Sequence, residues 1–213
     1  MFRIALTGNV ASGKSSVAAA WTRAGVPVVS ADALSRDAVR RGAPALAEIR
    51  REFGEEFLTN EGRFDRSRMR DLVFRDPMAR RKLEGLLHPR IEALRRRWEE
   101  ERRWEGADLV AFEIPLLFEL GKEDEFDVVV VVDAPEAVRE KRLVEDRGLS
   151  REQARRMIES QGDPEAKREG ADHVIENASD ISRLELTAMR VLERIREDLG
   201  VAGPDPERTG GDS

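Results

Sequence analysis

"FRIALTGNVASGKSS", residues 2–16, sets a short apolar run directly against a stretch of glycine, serine and lysine. Phe2 to Leu6 reads as a buried strand, and Lys14 to Ala24 as a helix with Val17, Ala18 and Trp21 on one face. Gly25 closes that helix. Between strand and helix, Gly8, Gly13, Lys14 and Ser15 satisfy G-x-x-x-x-G-K-[ST], and this setting turns a weak pattern into a specific one. Glycines let the backbone turn its N–H groups inward around a β-phosphate, and the helix start adds its positive end. Lys14 reaches the β- and γ-oxygens, and the Ser15 hydroxyl is the candidate ligand for Mg²⁺. On this reading Gly8, Asn9, Val10, Ala11, Ser12, Gly13, Lys14, Ser15 and Ser16 bind ATP. The competing reading is a flexible turn that matches by accident.

Downstream, Val26 to Val29 is a second β-branched run, broken only by Pro27. From Ala31 to about Gly106 the pattern is helical. Leu83, Leu87, Ile91, Leu94 and Trp98 recur at spacings of three and four, and Pro89 is expected to kink or divide their helix. Strand character returns at Asp108 to Ile114, in "VVVVV" at Val128 to Val132, and at His173 to Ile175. Runs apolar on both faces suit a parallel sheet covered by helices. Helices are expected at Pro135 to Arg147, Ser150 to Gln161 and Ser179 to Leu199. The order gives an α/β fold, a doubly wound parallel five-stranded sheet of the P-loop NTPase type, with a helical insertion and a lid. Ligands gather at the carboxyl ends of such strands. Here those ends carry Gly8, the Ser30 to Asp32 corner, the Glu113 to Pro115 corner, Asp133 and Asn177.

Composition narrows the function classes. Among 213 residues, 38% are charged and 40% hydrophobic, which fits a soluble globular protein. The net charge of -6 argues against a general nucleic-acid binder. Only five of the 37 basic residues are lysines (14, 82, 122, 141 and 167); arginine forks suit phosphate, but genome composition gives the same bias. With no cysteine there is no disulfide, thiolate metal site or catalytic thiol. Nothing approaches a membrane span or a signal peptide, so the expected setting is cytoplasmic, without membrane partners. A GTPase reading needs D-x-x-G and N-K-x-D, and neither occurs. A small-molecule kinase, with an acceptor site and a lid beside the loop, is the favoured class.

"VVSADALSRDAV" follows the second strand and carries Asp32 to the crevice. A carboxylate there can take the proton of an acceptor hydroxyl, and Arg36, one turn on, can hold an acceptor phosphate. Asp32 as a simple helix cap is the alternative. Taken together, "TGNVASGKSS", "SADALSR" with "GAPAL", "LLHP", "IPLLFE" and "AD-HVIEN" resemble the dephospho-CoA kinase family over roughly Phe2 to Leu199. The resemblance implies transfer of the ATP γ-phosphoryl group to the 3′-hydroxyl of dephospho-CoA, giving coenzyme A and ADP. It implies that Asp32, Lys14 and Arg142 are catalytic, and that ATP, dephospho-CoA and Mg²⁺ are the small-molecule partners. It puts Asp32, Arg36, His88, Pro115, Leu116 and Leu117 at the acceptor, with His88 either touching substrate or organising Pro89, and the two leucines either lining that site or packing as core.

Three features depart from the family pattern. Asn9 and Ala11 stand where glycine is common, and Ser30 replaces the first aspartate of a D-A-D stretch, leaving Asp32 as its one carboxylate. The family's lid motif R-L-x-x-R-D-G reads Arg142-Leu143-Val144-Glu145-Asp146-Arg147-Gly148 here, so the second arginine is displaced by one. Arg142 and Arg147 are both carried to the ATP site, Arg142 as the transition-state arginine. Asp133 either holds Mg²⁺ through water or helps start the helix after Pro135. The expected organisation is a nucleotide-binding core at 1–30, 107–138 and 171–200, a helical acceptor-binding insertion at 31–106, a lid at 139–170 and a disordered tail at 201–213. The rival readings are another nucleoside or metabolite kinase on this scaffold and a non-catalytic ATP-binding regulator.

Overall fold

The computed structural model describes residues 1–178 and 180–203, and the chain divides into two compact units. The first takes Met1–Ser30 and the described residues from Glu105 onward; the second is Ala31–Trp104. In the first unit the strands are β1 (Phe2–Thr7), β2 (Val28–Ser30), β3 (Leu109–Glu113), β4 (Val128–Asp133) and β5 (His173–Glu176). They form one parallel sheet in the order β2-β3-β1-β4-β5. The helices of this unit are α1 (Lys14–Arg23), α6 (Glu136–Glu145), α7 (Arg151–Glu159), α8 (Pro164–Glu169) and α9 (Ile181–Leu199). The second unit holds α2 (Ala31–Ala38), α3 (Pro44–Phe53), α4 (Arg66–Arg75) and α5 (Pro77–Trp104).

The two-residue alternation of a strand assigns its side chains to two layers. Ile4, Leu6, Val128, Val130 and Val132 pack with Val17 and Trp21 of α1 and with Leu184, Ala188, Leu192 and Ile195 of α9. Ala5 and Val129, from the same strands, face the other way and pack with Leu117. This is why the apolar run of β4 is unbroken: all five of its valines are buried. Trp21 is fully buried, and its indole N–H donates to the Ala188 carbonyl at 3.0 Å, tying α1 to α9.

Most expected elements are present with ends shifted by one or two residues. β2 starts at Val28, not Val26. Pro27 has no N–H to give the ladder, although its carbonyl accepts from Ala111 at 2.9 Å, and the Val26 N–H is spent on the Trp21 carbonyl in the turn after α1. α9 begins where Asp180 caps the Arg183 N–H and ends before Gly200 at φ +63°. Ser179, expected inside that helix, and residues 204–213 of the expected tail lie outside the described residues. α8 was not anticipated. It is one short turn and a half opened by Asp163-Pro164, with Asp163 accepting from Glu165. No helix of the described residues is long and apolar enough to cross a membrane.

The second unit is all helical around Val39, Ala45, Ile49, Phe57, Met69 and Leu86, with Phe53 and Phe57 meeting edge to face at 6.1 Å. Pro89 does not divide α5, which runs for 28 residues through it. The lost N–H is one hydrogen bond in a long helix. The start of α5 is secured by Asp76, whose carboxylate accepts from the Met78 and Ala79 N–H groups. Along α5 the excess arginine is used in exposed pairs such as Arg80–Glu84 and Arg97–Glu101. Such pairs contribute only about 0.3–0.5 kcal/mol each, so solubility is their larger effect.

Candidate active site

β1 ends at Thr7 between the strands that finish in Glu113 and Asp133, so the loop that follows leaves the carboxyl edge of the sheet at its centre. Two glycines shape the loop. Gly8 has φ +136°, and a Cβ there would lie 2.1 Å from the Val132 carbonyl oxygen. Gly13 has φ +106°, and a Cβ would meet the Asn177 amide nitrogen at 2.3 Å. Both positions exclude a side chain on backbone and on space. Ala11 takes φ +57°, the one non-glycine positive value among the described residues, at a strain of about 1–2 kcal/mol. Asn9, by contrast, has an ordinary backbone, so nothing there demands glycine.

Lys14 opens α1, and its side chain folds back over the loop. Its ammonium donates to the Gly8 carbonyl at 2.8 Å and to the Asn9 carbonyl at 2.9 Å. The residue is only 8% exposed, so Lys14 belongs to a packed site rather than the open one that its motif role suggests. The loop meets the start of α1, the positive end of the helix dipole, where the Ser16 and Val17 N–H groups donate to the Gly13 carbonyl at 3.0 and 3.2 Å. Ser15 is exposed, and its hydroxyl meets the Glu113 carboxylate at 3.3 Å. Asp133 is engaged elsewhere. Arg168 donates to it at 2.8 Å and to Glu176 at 3.0 Å, and these two carboxylates raise the Arg168 pKa above the usual arginine value.

Arg142 and Asn177 brace the loop from the side of α6 and β5. The Arg142 guanidinium donates to the Ala11 carbonyl at 3.0 Å, the Ser12 carbonyl at 3.4 Å and the Asn177 side-chain oxygen at 3.0 Å. Asn177, 3% exposed, turns its amide nitrogen to the Ser12 carbonyl at 2.7 Å. Leu143, Ala154 and Ile158 of α6 and α7 form a small core that also packs Val10 and Ala11. Arg147 is exposed and makes no hydrogen bond or ion pair among the described residues. The structure thus gathers Gly8 to Ser16 and Arg142 into one constellation and leaves Arg147 out of it.

The corner after β3 is mixed. Leu117, expected to line the acceptor site, is fully buried with Ala5 and Val129, so its side chain is core. Leu116 is exposed and Pro115 is half-buried. In the second unit Asp32 sits in the first turn of α2, two residues after β2 ends, and is exposed, as is Arg36 one turn on. Arg66 lies within electrostatic reach of both. Partial burial and the Arg36 charge draw its pKa below the usual arginine value, and Asp32 opposes that shift. Arg66 also donates to the Ser35 carbonyl at 3.4 Å. His88 is exposed on α5.

Glu113 and Arg66 were not singled out as site residues by the sequence reading. Glu113 carries the same signal as Asp133, an acid closing an apolar strand, and only the pairing with Ser15 separates the two. Nothing in an arginine-rich sequence distinguishes Arg66.

Comparison with known proteins identifies the family. A family model described as dephospho-CoA kinase matches residues 2–183. Dephospho-CoA kinase from Anaeromyxobacter dehalogenans is 42% identical over 92% of this chain and 93% of its own length. The enzyme of that name from Thermobifida fusca is 38% identical over 93% of this chain and 98% of its own. Among solved structures, dephospho-CoA kinase from Campylobacter jejuni superposes with a TM-score of 0.69 at 27% identity, covering 92% of this chain and 98% of that one.

Proposed function

The chain belongs to the dephospho-CoA kinase family, and from that premise we propose which of its residues move the γ-phosphoryl group of ATP to dephospho-CoA. The observation that carries the proposal is the Lys14 ammonium, held between the Gly8 and Asn9 carbonyls at the start of α1. A fixed cation at the positive end of a helix stabilises the charge on phosphoryl oxygens without reorganising during the reaction. Gly8 to Ser16 bind the ATP phosphates, and Lys14 acts on the β- and γ-oxygens.

Asp32 is the general base for the 3′-hydroxyl, and Arg36 with Arg66 holds an acceptor phosphate. Two arginines kept close against their own repulsion support that assignment, because an anion between them relieves it. The helical unit is the acceptor-binding part, with His88 and Leu116 as its further contacts, and residues 139–170 serve as the lid. Ser15 and Glu113 offer a hydroxyl and a carboxylate 3.3 Å apart, hard oxygen donors of the kind Mg²⁺ takes along with phosphates and water. Bound there, Mg²⁺ neutralises charge on the phosphates; the protein's part is to present these two oxygens. A cytoplasmic setting accompanies this reading, supported by ATP as substrate and by a chain without cysteine.

The assignment of Arg142 over Arg147 has a direct test. Arg142→Ala removes a guanidinium that touches two loop carbonyls and Asn177, so kcat should fall by about 10²-fold with a smaller change in ATP affinity. Arg147→Ala should stay within roughly threefold of wild type in both, since Arg147 makes no hydrogen bond or ion pair among the described residues. Steady-state kinetics with calorimetry of ATP binding reads the split. A larger kcat loss at Arg147 would move the role to the displaced arginine.

A further inference from the structure

Asn9 accepts two ammonium groups at once. Its backbone carbonyl takes Lys14 Nζ at 2.9 Å, and its side-chain Oδ1 takes Lys167 Nζ at 2.8 Å. Lys167 comes from α8, far along the chain, and is 3% exposed. Its ammonium also donates to Glu119 Oε1 at 2.6 Å, and the same oxygen accepts the Gly162 N–H at 3.4 Å. One residue before Gly162, Gln161 Oε1 takes the Val10 N–H at 2.6 Å. The segment from Gln161 to Lys167 therefore grips two successive residues of the phosphate loop, one by its amide and one by its side chain.

A buried ammonium is costly unless every contact compensates it, and packing alone is served as well by an apolar residue. Lys167 has one full charge partner. Partial burial works to raise the Glu119 carboxyl, yet the bonds from Lys167 and from the Glu119 and Gly162 backbone N–H groups, with the Lys167 charge, prevail and hold it below the ordinary glutamate range. The second contact is made to a neutral amide, and that amide belongs to the residue whose carbonyl seats Lys14. Glycine at position 9 would still offer the carbonyl and would lose the link. Since the Asn9 backbone requires no glycine, the side chain there adds a contact at no conformational cost.

We propose that Lys167 is a positioning residue for phosphoryl transfer, acting through Asn9 to fix the seat of the Lys14 ammonium. The inference rests on the reading that Lys14 engages the phosphates of ATP. Lys167 itself touches neither substrate; it sets the geometry of the group that does. A displaced Lys14 binds ATP nearly as well in the ground state and stabilises the moving phosphoryl group less well, so the loss falls on kcat.

The test is a double-mutant cycle on Asn9→Ala and Lys167→Met, with kcat, the KM for ATP and melting temperature measured for each. Asn9→Ala leaves the Lys167–Glu119 pair and the loop carbonyl in place. It should lower kcat about tenfold, change the ATP KM less than about threefold and lower the melting temperature by about 2–10 °C while the protein stays folded, since the buried Lys167 ammonium loses one acceptor. Lys167→Met should lose at least as much kcat, and the double variant no more than Lys167→Met alone. If Lys167 only anchors α8 through Glu119, Asn9→Ala will turn over like wild type, and that result overturns the proposal. Losses that multiply to about a hundredfold in the double variant overturn it as well. Should Lys167→Met fail to fold, Asn9→Ala decides by itself. Full activity of Lys14→Ala would instead remove the underlying reading of the loop, which keeps the two failures apart.

Discussion

Lys14→Ala should abolish turnover, by about 10³-fold or more, while the protein still folds. A preorganised cation on a transferring phosphoryl group is among the largest single contributions to such reactions, comparable to an arginine finger at roughly 10³–10⁵. The structure adds a stability effect that the motif alone does not. Because the Lys14 ammonium is buried against the Gly8 and Asn9 carbonyls, its removal leaves two acceptors without this donor. That should cost about 1–3 kcal/mol, or a drop in melting temperature of roughly 3–10 °C for a chain of this size. Circular dichroism should remain that of a folded protein. Turnover within tenfold of wild type would mean that the loop is not the phosphate site.

Asp32→Asn is the second large effect, an expected loss of roughly 10²–10⁴ in kcat with both substrates still bound. A ribose hydroxyl is a poor nucleophile until its proton has an acceptor. Asparagine keeps the size and most hydrogen bonding of Asp32 and removes only that capacity. The competing structural role is visible in the fold: Asp32 lies in the first turn of α2, where a negative charge is worth about 0.3–1 kcal/mol to the helix. That role predicts a slight stability change and unaltered kcat. Calorimetric titration with ATP and with dephospho-CoA separates a lost base from a lost binding contact, and a kcat within a few-fold of wild type would leave Asp32 a helix-start residue.

What could be read before the structure was local in sequence. Residues 2–16 carry a strand, a turn and the start of a helix in one uninterrupted stretch, so the loop and its fold are legible from spacing alone. The runs at Leu109–Glu113 and Val128–Asp133 are apolar on both faces because helices and core cover both sides, and that requirement shows in the letters. Asp163-Pro164 is a proper helix start, yet the six residues of α8 are too few to show a period, and Lys167 went unread with them. A leucine in that corner reads equally as site lining or as core, and only the sheet beneath Leu117 shows its side chain to be buried. The choice between Glu113 and Asp133 as the acid near Ser15, and the meeting of Lys167 with Asn9, depend on contacts across 98 and 158 residues. No local pattern encodes those. Pro89, where a kink or a break is the local expectation, lies inside a helix that continues through it rather than dividing there.

The most direct measurement is product analysis after mixing the protein with ATP, Mg²⁺ and a panel of acceptors, with ADP followed by a coupled assay and the acceptor product by mass spectrometry. With dephospho-CoA the account predicts one ADP per coenzyme A formed, phosphorylated at the 3′-hydroxyl, and only slow ADP release with free nucleosides or other hydroxylated metabolites. Faster transfer to another acceptor, or ATP binding with no ADP formed in the presence of dephospho-CoA, would contradict it.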